Sequence, residues 1–245
     1  MQAVILAGGL GTRLWPITKE IPKPMVPILG RPYLEYQVEE LRGRGILDIV
    51  LLTGYLGEQI ESHFGNGSSF GVEIRYSREF TPIGTGGALR LAKTILAPEF
   101  LLLYGDSFLP IDYANVLSRL IETGKEGLLA VYDNSAGDTS VVNNVALAST
   151  GLVARYEKDT GHPDLHYVEA GVLAFRRNAI QRIPADRPCS LEKEIFPQLI
   201  AEHDMASYVT IQRFFDIGTP SRLDVVSKYF AAKGGAGEKH GILDY

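Results

Sequence analysis

An apolar run, Ala3 to Ala7, opens into LAGGLGTRLWPITKEIPKPM, where Gly8, Gly9 and Gly11 precede two bases, Arg13 and Lys23. Glycines that follow a buried strand can take positive φ and bring backbone N–H groups against a ligand with no Cβ in the way. Such a turn forms an anion-binding concavity. Arg13 would add a planar fork of donors and Lys23 a point charge, both suited to phosphate oxygens. Pro16, Pro22, Pro24 and Pro27 stiffen the arm that carries Lys23, which is costly to explain as packing alone. The chemistry favoured here is the grip of a phosphorylated ligand. Taken by themselves, the glycines also fit an ordinary βα turn. A Rossmann dinucleotide loop would need a small residue where Leu14 stands, and the Gly-Lys-Ser/Thr of a Walker loop is absent.

The elements that must position this loop follow from periodicity. Ile49 to Thr53, Val72 to Tyr76, Phe100 to Tyr104 and Leu128 to Tyr132 read as strands. Between them Tyr33 to Arg44, Glu58 to Phe64, Thr85 to Leu96 and Tyr113 to Ile121 carry apolar residues at helical spacing. Alternation of this kind predicts a mostly parallel sheet covered on both faces. Beyond about residue 133 strands follow more closely, at Val141 to Leu147, Leu152 to Glu157 and Val168 to Phe175. Helices near Leu191 to Glu202 and Ser221 to Ala232 flank a strand at Ser207 to Ile211. The expectation is one domain over residues 1–232, in two parts at 1–132 and 133–232, the second a lid or substrate lobe continuous with the same sheet, and a flexible Gly-rich tail at 233–245.

Composition narrows the classes. A chain of 245 residues suits a single α/β domain, and a net charge of −5 without a basic block argues against nucleic-acid binding. No apolar stretch reaches membrane-spanning length, so no membrane partner and a cytoplasmic location are expected. The single Cys189 has no disulfide partner, and no Cys/His pair has zinc spacing, which leaves carboxylates as ligands of any metal.

LAGGLGTRLWP, followed in order by PKPM, GTGGA, YGDS, YEKD and FFDIG, resembles the sugar-1-phosphate nucleotidyltransferases, or nucleotide-sugar pyrophosphorylases, across residues 1 to about 230. PKPMVPILGRPYLEY and PIGTGGA are most similar to short guanylyltransferases acting on heptose 1-phosphate or mannose 1-phosphate. The resemblance implies a Rossmann-like three-layer α/β/α fold with a mixed, mostly parallel sheet. It implies a reaction in which a nucleoside triphosphate and a sugar 1-phosphate give a nucleotide sugar and pyrophosphate. By the same likeness Arg13 and Lys23 are the catalytic residues, their charges on the phosphates, while Gly8, Gly9, Gly11 and Thr12 hold the nucleotide. Leu6, Gly8, Glu79 and Gly84 would surround its base, with Thr85 also on the nucleotide. Asp106 in YGDS and Asp216 in FFDIG match the pair that binds Mg²⁺, a hard ion that prefers oxygen. Lys158 matches a lysine that holds the sugar phosphate, with Glu157, Glu169, Gly171 and Asn144 around the sugar. Asp159 stands where the family commonly has Pro.

Glu79 can only accept hydrogen bonds, and guanine offers two donors on one edge, which favours GTP. Uridylyl, thymidylyl or cytidylyl transfer, and a nucleotide-sugar-binding regulatory subunit without activity, stay open at this point. A homo-oligomer is compatible with the sequence.

Overall fold

In β1 (Gln2–Leu6) neighbouring residues face opposite ways: Ala3 and Ile5 join one buried cluster and Val4 the other. That division marks a strand covered on both faces. The computed structural model describes residues 1–137, 139–158 and 160–237. After β1 come β2 (Pro27–Ile28), β3 (Arg31–Pro32), β4 (Asp48–Thr53), β5 (Glu73–Arg78), β6 (Glu99–Tyr104), β7 (Ser107–Phe108) and β8 (Gly127–Asp133). The second part adds β9 (Val145–Leu147), β10 (Val153–Tyr156), β11 (Tyr167–Arg176), β12 (Met205–Thr210) and β13 (Phe215–Asp216). The α-helices are α1 (Tyr33–Gly43), α2 (Gly57–Phe64), α3 (Gly84–Leu91), α4 (Tyr113–Thr123), α5 (Phe196–Ala201) and α6 (Pro220–Gly237).

β1 lies between β4 and β6 and is parallel to both, with β5 parallel beyond β4. β11 runs antiparallel to β6 and to β8, and β12 is parallel to β8. The sheet is therefore mixed and mostly parallel, as the resemblance implies. Leu34, Val38 and Leu41 of α1, Ile60 and Phe64 of α2, and Val116 and Leu120 of α4 cover one face. Leu89 of α3 and Phe196 and Leu199 of α5 cover the other. Among the described residues no helix is long and apolar enough to cross a membrane.

A third apolar cluster serves the loops. Leu14, Val26, Ile28, Tyr33, Phe108, Phe215, Ile217, Val226 and Phe230 pack together under α6, with Tyr36 and Phe230 stacked at 4.0 Å. Leu14 adjoins Arg13, and Phe215 and Ile217 flank Asp216, so burial of the apolar neighbours fixes where the charged side chains start.

Three expectations need correction. The strand expected from Val141 is limited to Val145–Leu147. Upstream, the Thr139 hydroxyl donates to Asn134 Oδ1 at 3.0 Å and Asn134 Nδ2 donates to Asn143 Oδ1 at 3.0 Å, so side chains organise this loop in place of a ladder. The helix expected over Thr85 to Leu96 closes at Leu91, after which Lys93 N–H donates to Arg90 O at 3.1 Å and Ile95 N–H to Ala92 O at 2.9 Å as tight turns. The tail expected from residue 233 is helical as far as Gly237, and its remainder, residues 238–245, lies outside the described residues.

Candidate active site

A cleft of about 960 Å³ opens along the carboxyl ends of β1 and β6. That is where an open α/β sheet presents its ligand crevice. Leu6, Gly8, Gly9, Gly11, Thr12, Arg13, Lys23, Glu79, Gly84 and Thr85 all line it. Asp106, Asp216, Asn144, Lys158, Glu169 and Gly171 do so as well. Glu157 is the exception among the expected site residues. It does not line the cleft; just beyond the end of β10, its carboxylate lies 3.4 Å from Arg155 Nη1.

The glycine loop is drawn in tightly. Gly11 has φ +62, and a Cβ there would lie 3.0 Å from Lys23 Cβ and 3.2 Å from Thr18 Cγ2. The Thr18 hydroxyl donates to Gly11 O at 2.8 Å, tying the loop to the proline-rich arm. Arg13 is exposed on this loop and reaches over Gly218, its Cζ 3.8 Å from where a Cβ on that glycine would sit.

Lys23 is only 8% exposed and its ammonium donates to Asp106 Oδ2. Burial pushes the Asp106 carboxyl up, but Lys23, the Ser107 hydroxyl and Arg13 outweigh it and hold the group below the usual carboxylate range. Asp216 stands opposite Ser107 in the β7–β13 ladder, and Ile217 N–H donates to Asp106 O at 3.0 Å, so the two acids are carried side by side. Asp216 Oδ1 accepts from Gly218 N–H at 2.8 Å and from Arg222 Nη1 at 3.0 Å. Each aspartate thus faces a base, Lys23 on one and Arg222 on the other.

At the far end β11 is irregular. Glu169 pairs with Val131 but Leu173 with Leu129, so β11 carries extra residues in a bulge. Gly171 sits in it with φ +78, and a Cβ there would lie 2.4 Å from Ser107 Cβ. Gly171→Ala should therefore destabilise the fold by about 2–5 kcal/mol, from a left-handed backbone plus overpacking against the strand beside Asp106. A thermal midpoint equal to the parent would contradict this. Beside the bulge, the Tyr156 hydroxyl donates to Glu169 Oε2 at 2.5 Å and Glu169 N–H donates to Asn144 Oδ1 at 2.8 Å. Burial raises the Glu169 pKa against the opposing pull of Lys158, whose Nζ lies 3.9 Å away. Beside Gly8 and Gly54, burial also raises the Glu79 pKa, and its Oε2 accepts from Ile83 N–H at 3.3 Å.

A family model described as nucleotidyl transferase matches residues 2–232. The chain belongs to the nucleotidyl transferase family. Mannose-1-phosphate guanylyltransferase of Mycobacterium tuberculosis is 34% identical over 223 residues, covering 90% of this chain and 62% of that protein. Mannose-1-phosphate guanylyltransferase catalytic subunit beta of Drosophila melanogaster is 31% identical, covering 89% of this chain and 60% of that protein. The chain thus spans about three fifths of the length of these curated relatives. Among solved structures, HddC from Yersinia pseudotuberculosis complexed with GMP-PN superposes with a TM-score of 0.76 at 27% identity, covering 94% of this chain and 99% of that one.

Among the residues lining this nucleotidyl transferase cleft that the sequence reading passes over are Tyr104, Glu192 and Arg222. Glu192 reads as part of a helix surface, yet its carboxylate meets the Tyr104 hydroxyl at 2.8 Å across 88 residues of chain. Arg222 follows the FFDIG segment closely enough that its spacing to Asp216 on a helix start is the one local clue.

Proposed function

We propose that the chain transfers a nucleotidyl group, GTP being the favoured donor, to a heptose-type or mannose-type sugar 1-phosphate, with pyrophosphate as the other product. The observation that carries this is the charge layout of one cleft: Arg13 and Lys23 at the glycine loop, Lys158 at the opposite end, and two aspartates lining it. Such a cleft can hold two polyanions together and offset their repulsion, which is what phosphoryl chemistry requires.

A sugar phosphate with a second pKa of about 6 is already ionised near neutrality, so its oxygen attacks the α-phosphorus without a general base. The new P–O bond forms as the bond to pyrophosphate breaks, and the electron pair leaves on pyrophosphate oxygen. Lys23 is placed to bridge the α-phosphate and Arg13 to stabilise the leaving charge. Lys158 orients the attacking phosphate.

The acids suit Mg²⁺. Among the described residues no group of three or more His, Cys, Asp or Glu could hold a metal, so the chain offers two carboxylates and leaves the other positions to phosphate and water. Asp106 and Asp216 would hold the ion, which when bound offsets phosphate charge. EDTA should abolish turnover and Mg²⁺ restore it; metal-independent turnover would count against this assignment.

Glu79 supports guanine because an accepting carboxylate suits its N1–H and N2 amino donors. HddC complexed with GMP-PN and the guanylyltransferase names of the relatives point the same way. The working location we propose is the cytoplasm. Pyrophosphate release measured for GTP, UTP, dTTP and CTP, each crossed with a panel of sugar 1-phosphates, should give the highest kcat/KM with GTP and a heptose or mannose 1-phosphate. A clear preference for UTP or dTTP would overturn the base assignment, and no product in any combination would favour a regulatory subunit.

A further inference from the structure

The buried face of α1 is apolar at Leu34, Val38 and Leu41, yet it also buries two polar groups one helical turn apart, Tyr33 and Gln37, exposed by 0% and 2%. Packing alone would be served by Phe and Met at these places, because a buried polar group costs free energy unless it is bonded. Both bond outside their own helix. The Gln37 amide donates through Nε2 to Tyr104 O at 2.9 Å and to Ser107 O at 2.5 Å, the two carbonyls that bracket Gly105 and Asp106. The Tyr33 hydroxyl donates to Phe215 O at 3.3 Å, the carbonyl just before Asp216. One turn of one helix therefore holds the backbone on which both acids stand.

The strands held in this way need the support. β7 and β13 have two residues each and pair in a sheet of their own, apart from the nine-stranded one. So short a ladder is marginal in water without something packed against it. Tyr33 supplies part of that packing, in one apolar cluster with Phe108 of β7 and Phe215 of β13. Gln37 adds the grip on the turn between β6 and β7. Its amide is oriented by the two carbonyls, which leaves Oε1 buried with no partner among the described residues. An orphaned buried acceptor is a cost that a Met at this place would avoid, and the two bonds to the Asp106 turn are what the amide gives in return.

We propose that Tyr33 and Gln37 are positioning residues: from inside α1 they set the placement of Asp106 relative to Asp216, and with it the affinity of the acid pair for a divalent cation. This rests on the reading that the two acids hold Mg²⁺. Neither side chain lines the cleft, so their influence passes through the carbonyls of Tyr104, Ser107 and Phe215. Mg²⁺ demands near-ideal octahedral geometry, so a pair of carboxylates that drifts apart binds it more weakly.

The test uses the intact chain and two variants that keep the packing. Tyr33→Phe deletes one oxygen and leaves the ring in its cluster; Gln37→Met keeps the length and removes the amide. Ile183→Val, which trims the apolar cluster on the opposite face of the sheet, is the control for lost stability alone. The free Mg²⁺ that gives half-maximal pyrophosphate release should rise about 3- to 10-fold in each α1 variant, the range for one or two lost hydrogen bonds. At saturating Mg²⁺ kcat should return most of the way to the parent value. The rise in thermal midpoint that Mg²⁺ gives the substrate-free chain reads the same binding without turnover, and its half-maximal concentration should move by a similar factor. Ile183→Val should melt lower and keep the parent Mg²⁺ curve.

An Mg²⁺ curve that stays in place in either folded variant would make that side chain a core residue and no more, and would overturn the proposal while leaving Mg²⁺ on the acids. A shifted curve in Ile183→Val would also overturn it, because lost stability alone would then explain the effect. A parent chain whose turnover and midpoint ignore Mg²⁺ would sink the underlying reading and the proposal with it. Should Gln37→Met not fold, Tyr33→Phe decides the matter alone.

Discussion

Arg13→Ala is expected to lower kcat by roughly 10²–10³-fold, the loss seen when a single group that stabilises transition-state charge is removed. The side chain is exposed, so its loss leaves no cavity in the core, while its buried neighbour Leu14 keeps the loop anchored in the cluster beneath α6. The thermal midpoint should therefore move little. Arg13 reaches over Gly218 and acts on Asp106, which places its charge beside the acids and above the cleft floor. Arg13→Lys keeps the charge but loses the planar fork, and should recover only part of the rate. Pyrophosphate release and a melting curve on the same samples check both halves. Normal turnover in Arg13→Ala would remove the residue from the mechanism.

Lys23→Met should have a comparable effect on rate and a second effect on stability. The ammonium sits under the proline arm and pairs with Asp106, whose side chain keeps 31% of its surface exposed. Breaking a buried pair costs about 3–5 kcal/mol, and partial exposure of Asp106 reduces this to roughly 1–3 kcal/mol. The two effects separate in the double variant. Lys23→Met with Asp106→Asn removes both charges and should regain most of the stability, yet stay as inactive as the single variant. Recovery of turnover in the double variant would remove Lys23 from the α-phosphate and Asp106 from the metal site together.

What the sequence made legible was local. The β1 run, the glycines after it and the helix periodicity of Tyr33 to Arg44 depend on neighbours within a few residues, and each stands in the fold close to where it was expected. The bases Arg13 and Lys23 were readable because glycine and proline punctuate the chain around them. Glu157 does not line the cleft beside its neighbour Lys158; its carboxylate meets Arg155. Glu192 could not be placed in the cleft by spacing, because Tyr104 and Thr85 reach it from distant segments. The same holds for the cluster of Leu14, Phe108 and Phe215, which becomes one unit only when α6 folds across the loops. Residues 141–143 show the converse, where apolar residues suggested the start of a strand and the side chains of Asn134, Thr139 and Asn143 claimed the hydrogen bonds.

The central claim, that the cleft joins a nucleotidyl group to a sugar phosphate, is tested most directly by following two labels in GTP. With the α-phosphorus labelled and a mannose or heptose 1-phosphate present, the account predicts label in a nucleotide sugar. With the γ-phosphorus labelled, it predicts label in pyrophosphate, at an equal rate. Release of the γ label as inorganic phosphate, or of the α label as free GMP with no sugar adduct, would contradict it.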